Sequence, residues 1–239
     1  MGKNIKENIV FLPGLLCDKK LFDFQIRLFE KDFNCFIPEY PNSTKLNCIV
    51  DSVIEEIPFK EYHLICLSMG GYIAFEIMKT QLRKIKNIAL LNTKIREDTE
   101  DEKQKRVQFI NASLSNNRFN PISKVAILSL IGRSNQNNIK LIKQIREMAA
   151  RVGKDKYISH QRAIINRKLD IDFFTTIKKK ILIIVGDEDI VTPKDDALFL
   201  REIFKDSKLI ILKKCGHLSS MEKPLLTYKY LKGFLNFMR

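Results

Sequence analysis

The chain has 239 residues, of which 45% are hydrophobic and 29% are charged. This composition excludes a disordered or low-complexity protein, and the length suits a single large α/β domain. No apolar run approaches the ~18 residues that a transmembrane helix needs, and the cysteines, five in number, form no C-x-x-C pair. We therefore expect a cytoplasmic globular protein without a membrane span, a disulfide framework or a metal site.

Six short apolar runs rich in β-forming residues recur along the chain, at residues 9–12, 35–38, 63–67, 88–91, 181–185 and 209–212. Uninterrupted runs of this length are typical of parallel strands buried on both faces. Amphipathic helical patterns occupy residues 20–29, 69–82 and 225–235. The alternation predicts a doubly wound α/β architecture, with a mostly parallel sheet of about six strands and helices on both faces.

The strand signal disappears between Asn92 and Lys180, where helical patterns replace it. In the clearest of them, between Leu141 and Val152, apolar residues recur at spacings of three and four. We predict a core formed by residues 1–93 and 178–239, interrupted by a helical lid at residues 94–177. Such a lid would cover the carboxyl ends of the strands, where open α/β sheets bind their ligands.

Ser68 lies between an apolar strand and a helix, in the segment HLICLSMGGY that begins at residue 63. The segment is similar to the nucleophile elbow G-x-S-x-G, with Cys66 at the first glycine position. Such a sharp turn strains the serine backbone and brings its neighbours together, which favours the small residues Gly70 and Gly71. The pattern predicts that Ser68 is a nucleophile, and that Cys66 is structural.

A histidine follows the last predicted strand, in KKCGH at residues 213–217. The chain has three histidines. His63 begins the strand that leads to Ser68, at the wrong end of the sheet, and His160 falls in the helical stretch. His217 is therefore our candidate for the general base.

An acidic turn, GDEDIVTP, follows the fifth predicted strand. Asp187 and Asp189 compete for the role of orienting His217, and we predict Asp189, with Asp187 forming the turn. The chain order is then Ser, Asp, His, which is the order of α/β-hydrolases and of neither chymotrypsin nor subtilisin.

An oxyanion hole completes the predicted site. The first strand runs into Pro13-Gly14, so that the backbone N–H of Leu15 is expected beside that of Met69, the residue after the nucleophile. Two such donors would stabilise a tetrahedral oxyanion.

Four motifs, FLPGLLCD at 11–18, LSMGGY at 67–72, GDEDIVTP at 186–193 and CGHLS at 215–219, resemble those of bacterial α/β-hydrolases. Carboxylesterases and pimeloyl-carrier-protein methyl esterase-like proteins are among them. The resemblance runs from about Ile9 to the C-terminus and departs at Cys66 and at Pro13, where His is common. It implies the α/β-hydrolase fold with a helical lid, and cleavage of a carboxylic ester of a small acyl substrate through an acyl-enzyme. The sequence contains no Rossmann fingerprint, P-loop or metal-binding cluster, so we expect no cofactor and no metal.

Several alternatives stay open at this point. A thioesterase, a lactonase or a C–C hydrolase would use the same three residues. A hydrolase-like ligand-binding protein would keep the pocket without turnover. A serine nucleophile argues against haloalkane dehalogenases and epoxide hydrolases, which use Asp.

The net charge of +14 is concentrated in one segment. Residues 103–168 contain fifteen basic residues and only two acids, Glu147 and Asp155, while the rest of the chain is nearly neutral. The basic residues are Lys103, Lys105, Arg106, Arg118, Lys124, Arg133, Lys140, Lys143, Arg146, Arg151, Lys154, Lys156, Arg162, Arg167 and Lys168. The segment lacks interleaved aromatics and nucleic-acid motifs, so we expect no nucleic-acid partner. Either it attracts an acidic acyl carrier protein to the lid, or it is compositional background.

Overall fold

The computed structural model describes residues 6–115 and 123–236, so Arg118 lies outside the described residues. Six strands form one sheet in the order β2-β1-β3-β4-β5-β6, and every neighbouring pair is parallel. The strands are β1 (Glu7–Leu12), β2 (Phe33–Phe36), β3 (Tyr62–Leu67), β4 (Ile85–Leu91), β5 (Ile181–Gly186) and β6 (Ser207–Leu212). Each predicted apolar run overlaps one strand, and the predicted α/β-hydrolase fold is confirmed.

Helices cover both faces of the sheet. They are, in chain order, α1 (Asp23–Phe29), α2 (Leu46–Glu56), α3 (Met69–Gln81), α4 (Glu100–Ser115), α5 (Lys124–Leu130), α6 (Ile139–Val152), α7 (Lys154–Ile165), α8 (Ile171–Thr175), α9 (Lys194–Ile203), α10 (Ser219–Glu222) and α11 (Pro224–Asn236). The helical patterns read from the sequence correspond to α1, α3, α6 and α11. Helices α2 and α9 of the core correspond to none of these patterns.

The strands are apolar throughout because they are buried on both sides. In β1, Val10 and Leu12 enter the layer formed with α2, α3 and α9, whereas Ile9 and Phe11 enter the layer formed with α1 and α11. All four side chains are inaccessible to solvent. Burial of this kind stabilises a chain by roughly 25 cal/mol per Å² of apolar surface, which makes the sheet a rigid platform for the loops at its edge.

Helices α4 to α8 are inserted between β4 and β5, and the described residues of this stretch contain no strand. The last of them packs with the core, because the ring of Phe174 contacts those of Phe75 at 5.3 Å and Phe204 at 6.2 Å. We call residues 94–177 the helical insertion.

All strands point the same way, so their carboxyl ends meet at one edge of the sheet. Ser68 follows β3 directly, Asn92 follows β4, and the two turns that contain Asp189 and His217 follow β5 and β6. This shared edge is where the candidate site lies.

Candidate active site

The backbone of Ser68 is strained in the way that a nucleophile elbow requires. Its φ is 54°, a value that non-glycine residues rarely adopt and that costs about 1–3 kcal/mol. The surrounding structure maintains it: the Ser68 N–H donates to the carbonyl of Leu91 at 3.0 Å, and the Thr93 hydroxyl donates to the Ser68 carbonyl at 2.8 Å. The side chain is thereby held above the carboxyl edge of the sheet.

Two glycines after Ser68 let α3 approach the sheet closely. A Cβ on Gly70 would lie 2.0 Å from the carbonyl oxygen of Leu12, and one on Gly71 would lie 2.3 Å from Oγ1 of Thr93. Neither site has room for a side chain. The small residues that the sequence places after the serine are therefore required by packing against the ends of β1 and β4.

A continuous chain of hydrogen bonds joins the three predicted site residues. Nε2 of His217 lies 2.8 Å from Oγ of Ser68, and Nδ1 of His217 lies 2.9 and 3.1 Å from the two carboxylate oxygens of Asp189. The side chains of His217 and Asp189 are almost completely buried. The arrangement suits transfer of the serine proton to Nε2 while the carboxylate holds the imidazole by Nδ1.

Four further donors surround the carboxylate of Asp189. Asn92 Nδ2 donates at 2.8 Å, the Thr192 hydroxyl at 2.9 Å, and the N–H groups of Val191 and Thr192 at 2.8 and 3.0 Å. Burial raises the pKa of Asp189, but the charge of His217 and these hydrogen bonds hold it below its ordinary value. Asp189 is therefore ionised where His217 needs a counter-charge.

The competing residues lie elsewhere. Asp187 accepts a bond of 3.4 Å from the N–H of Cys215 and lies 3.6 Å from Nζ of Lys213, so it supports the turn. His63 contacts Asn87 at the opposite end of β3, and His160 contacts the carbonyl of Pro41. The structure therefore brings together the residues that the sequence selects and leaves their competitors apart.

The predicted oxyanion loop lies against the nucleophile. A Cβ on Gly14 would lie 3.3 Å from Cβ of Ser68, and the N–H of Cys17 closes a turn onto the carbonyl of Gly14 at 3.1 Å. Within this turn Leu16 has a φ of 57°. Leu15 is thus held beside Ser68, while Met69 begins α3 next to it.

A cavity of about 440 Å³ opens onto Ser68 and His217. This volume falls within the ~300–1,000 Å³ of typical small-molecule sites. Its inner wall is formed by core residues, including Leu15 and Leu218, and its outer wall by the helical insertion. The insertion contributes an apolar surface, represented by Ile145 and Met148 of α6. Residues of the helical insertion thus form part of the wall of the cavity that contains Ser68.

Glu222 joins the histidine turn to the helical insertion. One carboxylate oxygen accepts the N–H groups of Gly216 at 2.9 Å and Leu218 at 3.3 Å; the other accepts the N–H of Gly132 at 2.7 Å and Nδ2 of Asn135 at 2.9 Å. The carboxylate thus fixes the backbone on both sides of the candidate base.

Two residues at this site escaped the sequence analysis. Asn92 carried a usable signal, since it is a polar residue directly after a strand. Glu222 carried none, because nothing in its local sequence distinguishes it from a surface glutamate.

In the described part of the chain, no group of three or more His, Cys, Asp or Glu side chains is placed to hold a metal ion. No described helix is long and apolar enough to cross a membrane.

The model of the alpha/beta hydrolase fold family matches residues 7–224. The chain belongs to this family. A search of curated proteins finds no match.

Solved structures with the same fold include several hydrolases. An esterase from Thermogutta terrifontis, solved with malate bound, superposes with a TM-score of 0.85 at 18% identity, over 97% of this chain and 90% of its own. The enol-lactonase from Burkholderia xenovorans LB400 gives the same TM-score and identity, over 98% of this chain and 92% of its own. A carboxylesterase structure from Nitrososphaera gargenis gives 0.83 at 16% identity, over 100% and 93%. Identities this low establish a common fold.

Proposed function

We propose that the chain is a serine hydrolase that cleaves a carboxylic ester, with Ser68 as nucleophile, His217 as general base and Asp189 as the orienting acid. The observation that carries the proposal is the pair of contacts made by His217, 2.8 Å to Ser68 and 2.9 Å to Asp189. The esterases among proteins of the same fold support it.

The reaction proceeds in two halves. His217 takes the proton of Ser68 at Nε2 as Oγ attacks the ester carbonyl, and the N–H groups of Leu15 and Met69 bind the oxyanion. The intermediate collapses, the alcohol leaves with the proton from His217, and a water molecule then attacks the acyl-enzyme by the same route. Asp189 stabilises the imidazolium in both halves.

The test combines an active-site label with a substrate panel. A fluorophosphonate probe should label the wild-type protein at Ser68, and Ser68→Ala should abolish labelling and lower kcat by a factor on the order of 10⁶. Equal labelling of Ser68→Ala would contradict the assignment. A panel of p-nitrophenyl esters, thioesters, lactones and β-diketones then separates an esterase from a thioesterase, a lactonase or a C–C hydrolase, and no turnover of any would favour a ligand-binding protein.

An acidic acyl carrier protein is a second proposal, for the outer face of the helical insertion. Lys140, Lys143 and Arg146 are exposed on α6, whose inner face lines the cavity. Part of the basic excess is neutralised, since Arg151 pairs with Asp18, Lys168 with Glu97 and Lys143 with Glu147. The carrier proposal therefore rests on the other exposed cations of the insertion, which include Lys140, Arg146 and Arg162.

Salt dependence tests the carrier proposal. Electrostatic steering raises association rates by ~10–10³ and fades with ionic strength. Hydrolysis of a carrier-linked ester should therefore weaken steeply with salt and on charge reversal at Arg146 or Arg162, while a free small ester should respond to neither. Equal responses of both substrates would assign the charge to background.

A further inference from the structure

A buried cluster of charges lies behind one wall of the cavity. Asp98, whose side chain is inaccessible, contacts three cations: Lys94 and Arg167 at 2.9 Å each and Arg106 at 2.5 Å. Glu102 is the second acid of the cluster and lies 2.7 Å from Nζ of Lys94. Three cations thus share two carboxylates, and the cluster keeps one positive charge.

Both acids of the cluster are held in the ionised form. Burial raises the pKa of Asp98, but hydrogen bonds and charges from Arg167 and Arg106 hold it well below its usual range. The pKa of Glu102 is likewise lowered, by Lys94 and by the N–H of Thr99, against the effect of burial. The positive excess therefore persists at neutral pH.

Two of the cations, Lys94 and Arg106, line the cavity that opens onto Ser68, while Asp98 and Glu102 stand behind them. Among the described residues that line this cavity, none is Asp or Glu. Arg106 donates through Nε to Asp98 and through one terminal nitrogen to Gln161 at 2.7 Å. Its other terminal nitrogen has no hydrogen-bond partner among the described residues.

We propose that Lys94 and Arg106 bind a carboxylate on the substrate, so that the ester cleaved at Ser68 is the half-ester of a dicarboxylic acid or a similar anionic ester. This inference rests on the proposed function. A net positive charge beside an apolar cavity is costly, and a substrate carboxylate would offset it with charge-assisted hydrogen bonds. The carboxylate, bound at one wall, would orient the ester carbonyl toward Ser68 at the other.

A purely structural role predicts a different behaviour. If the cluster only holds together the helical insertion, in which all five of its residues lie, the enzyme has no reason to distinguish a carboxylate from a neutral group of the same shape. Steering by surface charges also predicts a different behaviour, because salt screens exposed charges far more than buried ones. A preference for anionic esters that survives high salt is therefore specific to the buried cations.

The substrates are matched pairs. Monomethyl succinate, glutarate and adipate are compared with the methyl esters of 4-oxopentanoic, 5-oxohexanoic and 6-oxoheptanoic acids, in which a methyl ketone replaces the carboxylate at the same distance. At pH 7.5 the acids are ionised. We expect kcat/KM to favour one acid over its ketone by about tenfold or more, since hydrogen bonds to charged groups are the stronger ones. The length that is favoured measures the span from Ser68 to the cations.

Two variants on the same helix isolate the effect. Arg106→Gln removes a cavity cation, whereas Lys105→Gln removes the same charge from a neighbouring exposed position that does not line the cavity. The acid-to-ketone ratio should fall about tenfold in Arg106→Gln and stay at the wild-type value in Lys105→Gln. The ratio compares two substrates on one preparation, so a partly folded variant does not alter it.

Binding to Ser68→Ala, measured by calorimetry, separates this inference from the proposed function. Tighter binding of an acid ester than of its ketone supports carboxylate recognition even if the wild-type protein hydrolyses neither, a result that would refute the esterase proposal alone. Equal binding and equal kcat/KM within every pair, with hydrolysis intact, would overturn the carboxylate site alone.

Discussion

The α/β core and the helical insertion are held in place by different forces. In the core, backbone hydrogen bonds continue from the sheet into the loops, as from Ser68 to Leu91 and from Asn92 to Ile184. The insertion relies instead on side-chain contacts: its apolar residues pack against the core, Arg151 pairs with Asp18 of the core, and Arg167 pairs with Asp98 within the insertion. The strand ends that carry the core residues of the site are thus fixed by backbone pairing, whereas the cavity wall formed by the insertion depends on side-chain packing and on a few ion pairs.

The largest effect is expected inside the core. Asp189→Asn removes the counter-charge of His217 and favours the wrong tautomer, so kcat should fall by a factor on the order of 10⁴ with KM little changed. Asp187→Asn is the matched control, since its side chain supports the turn and does not contact His217. Steady-state kinetics on one p-nitrophenyl ester measures both. Reversed losses would exchange the roles of the two acids.

Next in size is a stability effect in the insertion. Asp98→Asn leaves Lys94, Arg106 and Arg167 with Glu102 as the remaining acid of the cluster, which should cost about 3–5 kcal/mol of unfolding free energy at pH 7. Urea unfolding measures it, with the exposed Asp101→Asn as control. Equal unfolding free energies of the two variants would show that the cluster does not stabilise the insertion.

The same variant has a defined pH signature. The folded pKa of Asp98 lies below the ordinary value of ~3.9, so its stabilising contribution is complete above that value and is lost as the pH falls through the folded pKa. The gap in stability between wild type and Asp98→Asn should therefore narrow from about pH 5 downward. A gap that widens in acid would reverse the sign of this argument.

A smaller effect is expected where the two regions meet. Glu222→Gln places an amide N–H₂ against N–H donors from either the histidine turn or Gly132, so we expect kcat to fall about tenfold while KM changes less. Glu188→Gln is the control, because the Glu188 carboxylate accepts the N–H of Arg133 in the insertion, whereas the bond of Glu188 to the turn of His217 is made by its backbone N–H, to the carbonyl of Cys215, and is unaffected by the substitution. Should Glu188→Gln lower kcat as much, positioning of the base would depend on the insertion as a whole.

The smallest effect is expected at Cys66. Cys66 lies on β3, between β1 and β4, and its thiol is completely buried. Burial raises the pKa of the thiol well above its ordinary value, so the side chain supplies no thiolate. Cys66→Ala should keep kcat within about twofold and cost about 1 kcal/mol of unfolding free energy. Activity lost without any change in the urea midpoint would point instead to a direct role.

Local sequence patterns were sufficient to predict the sheet and to place Ser68, Asp189 and His217 just after the ends of its strands. Parallel strands buried on both faces must be apolar along their whole length, and their carboxyl ends must meet at one edge. A polar residue just after such a run is thus placed at that edge before any contact is known. The choice between Asp189 and Asp187 already required turn geometry, because the two residues are only two positions apart and the turn decides which carboxylate faces the imidazole.

What only the tertiary structure decided is which distant side chains reach that edge. Asn92 contacts Asp189 across 97 positions of sequence, and Glu222 contacts Gly132 across 90. The sequence concentrates positive charge in residues 103–168, but it does not tell which cations turn inward. Arg106 lines the cavity while its neighbour Lys105 is exposed, because the phase of α4 turns Arg106 toward the buried Asp98. Strand ends are set by local hydrophobicity, whereas these pairings depend on how helices far apart in the chain pack together.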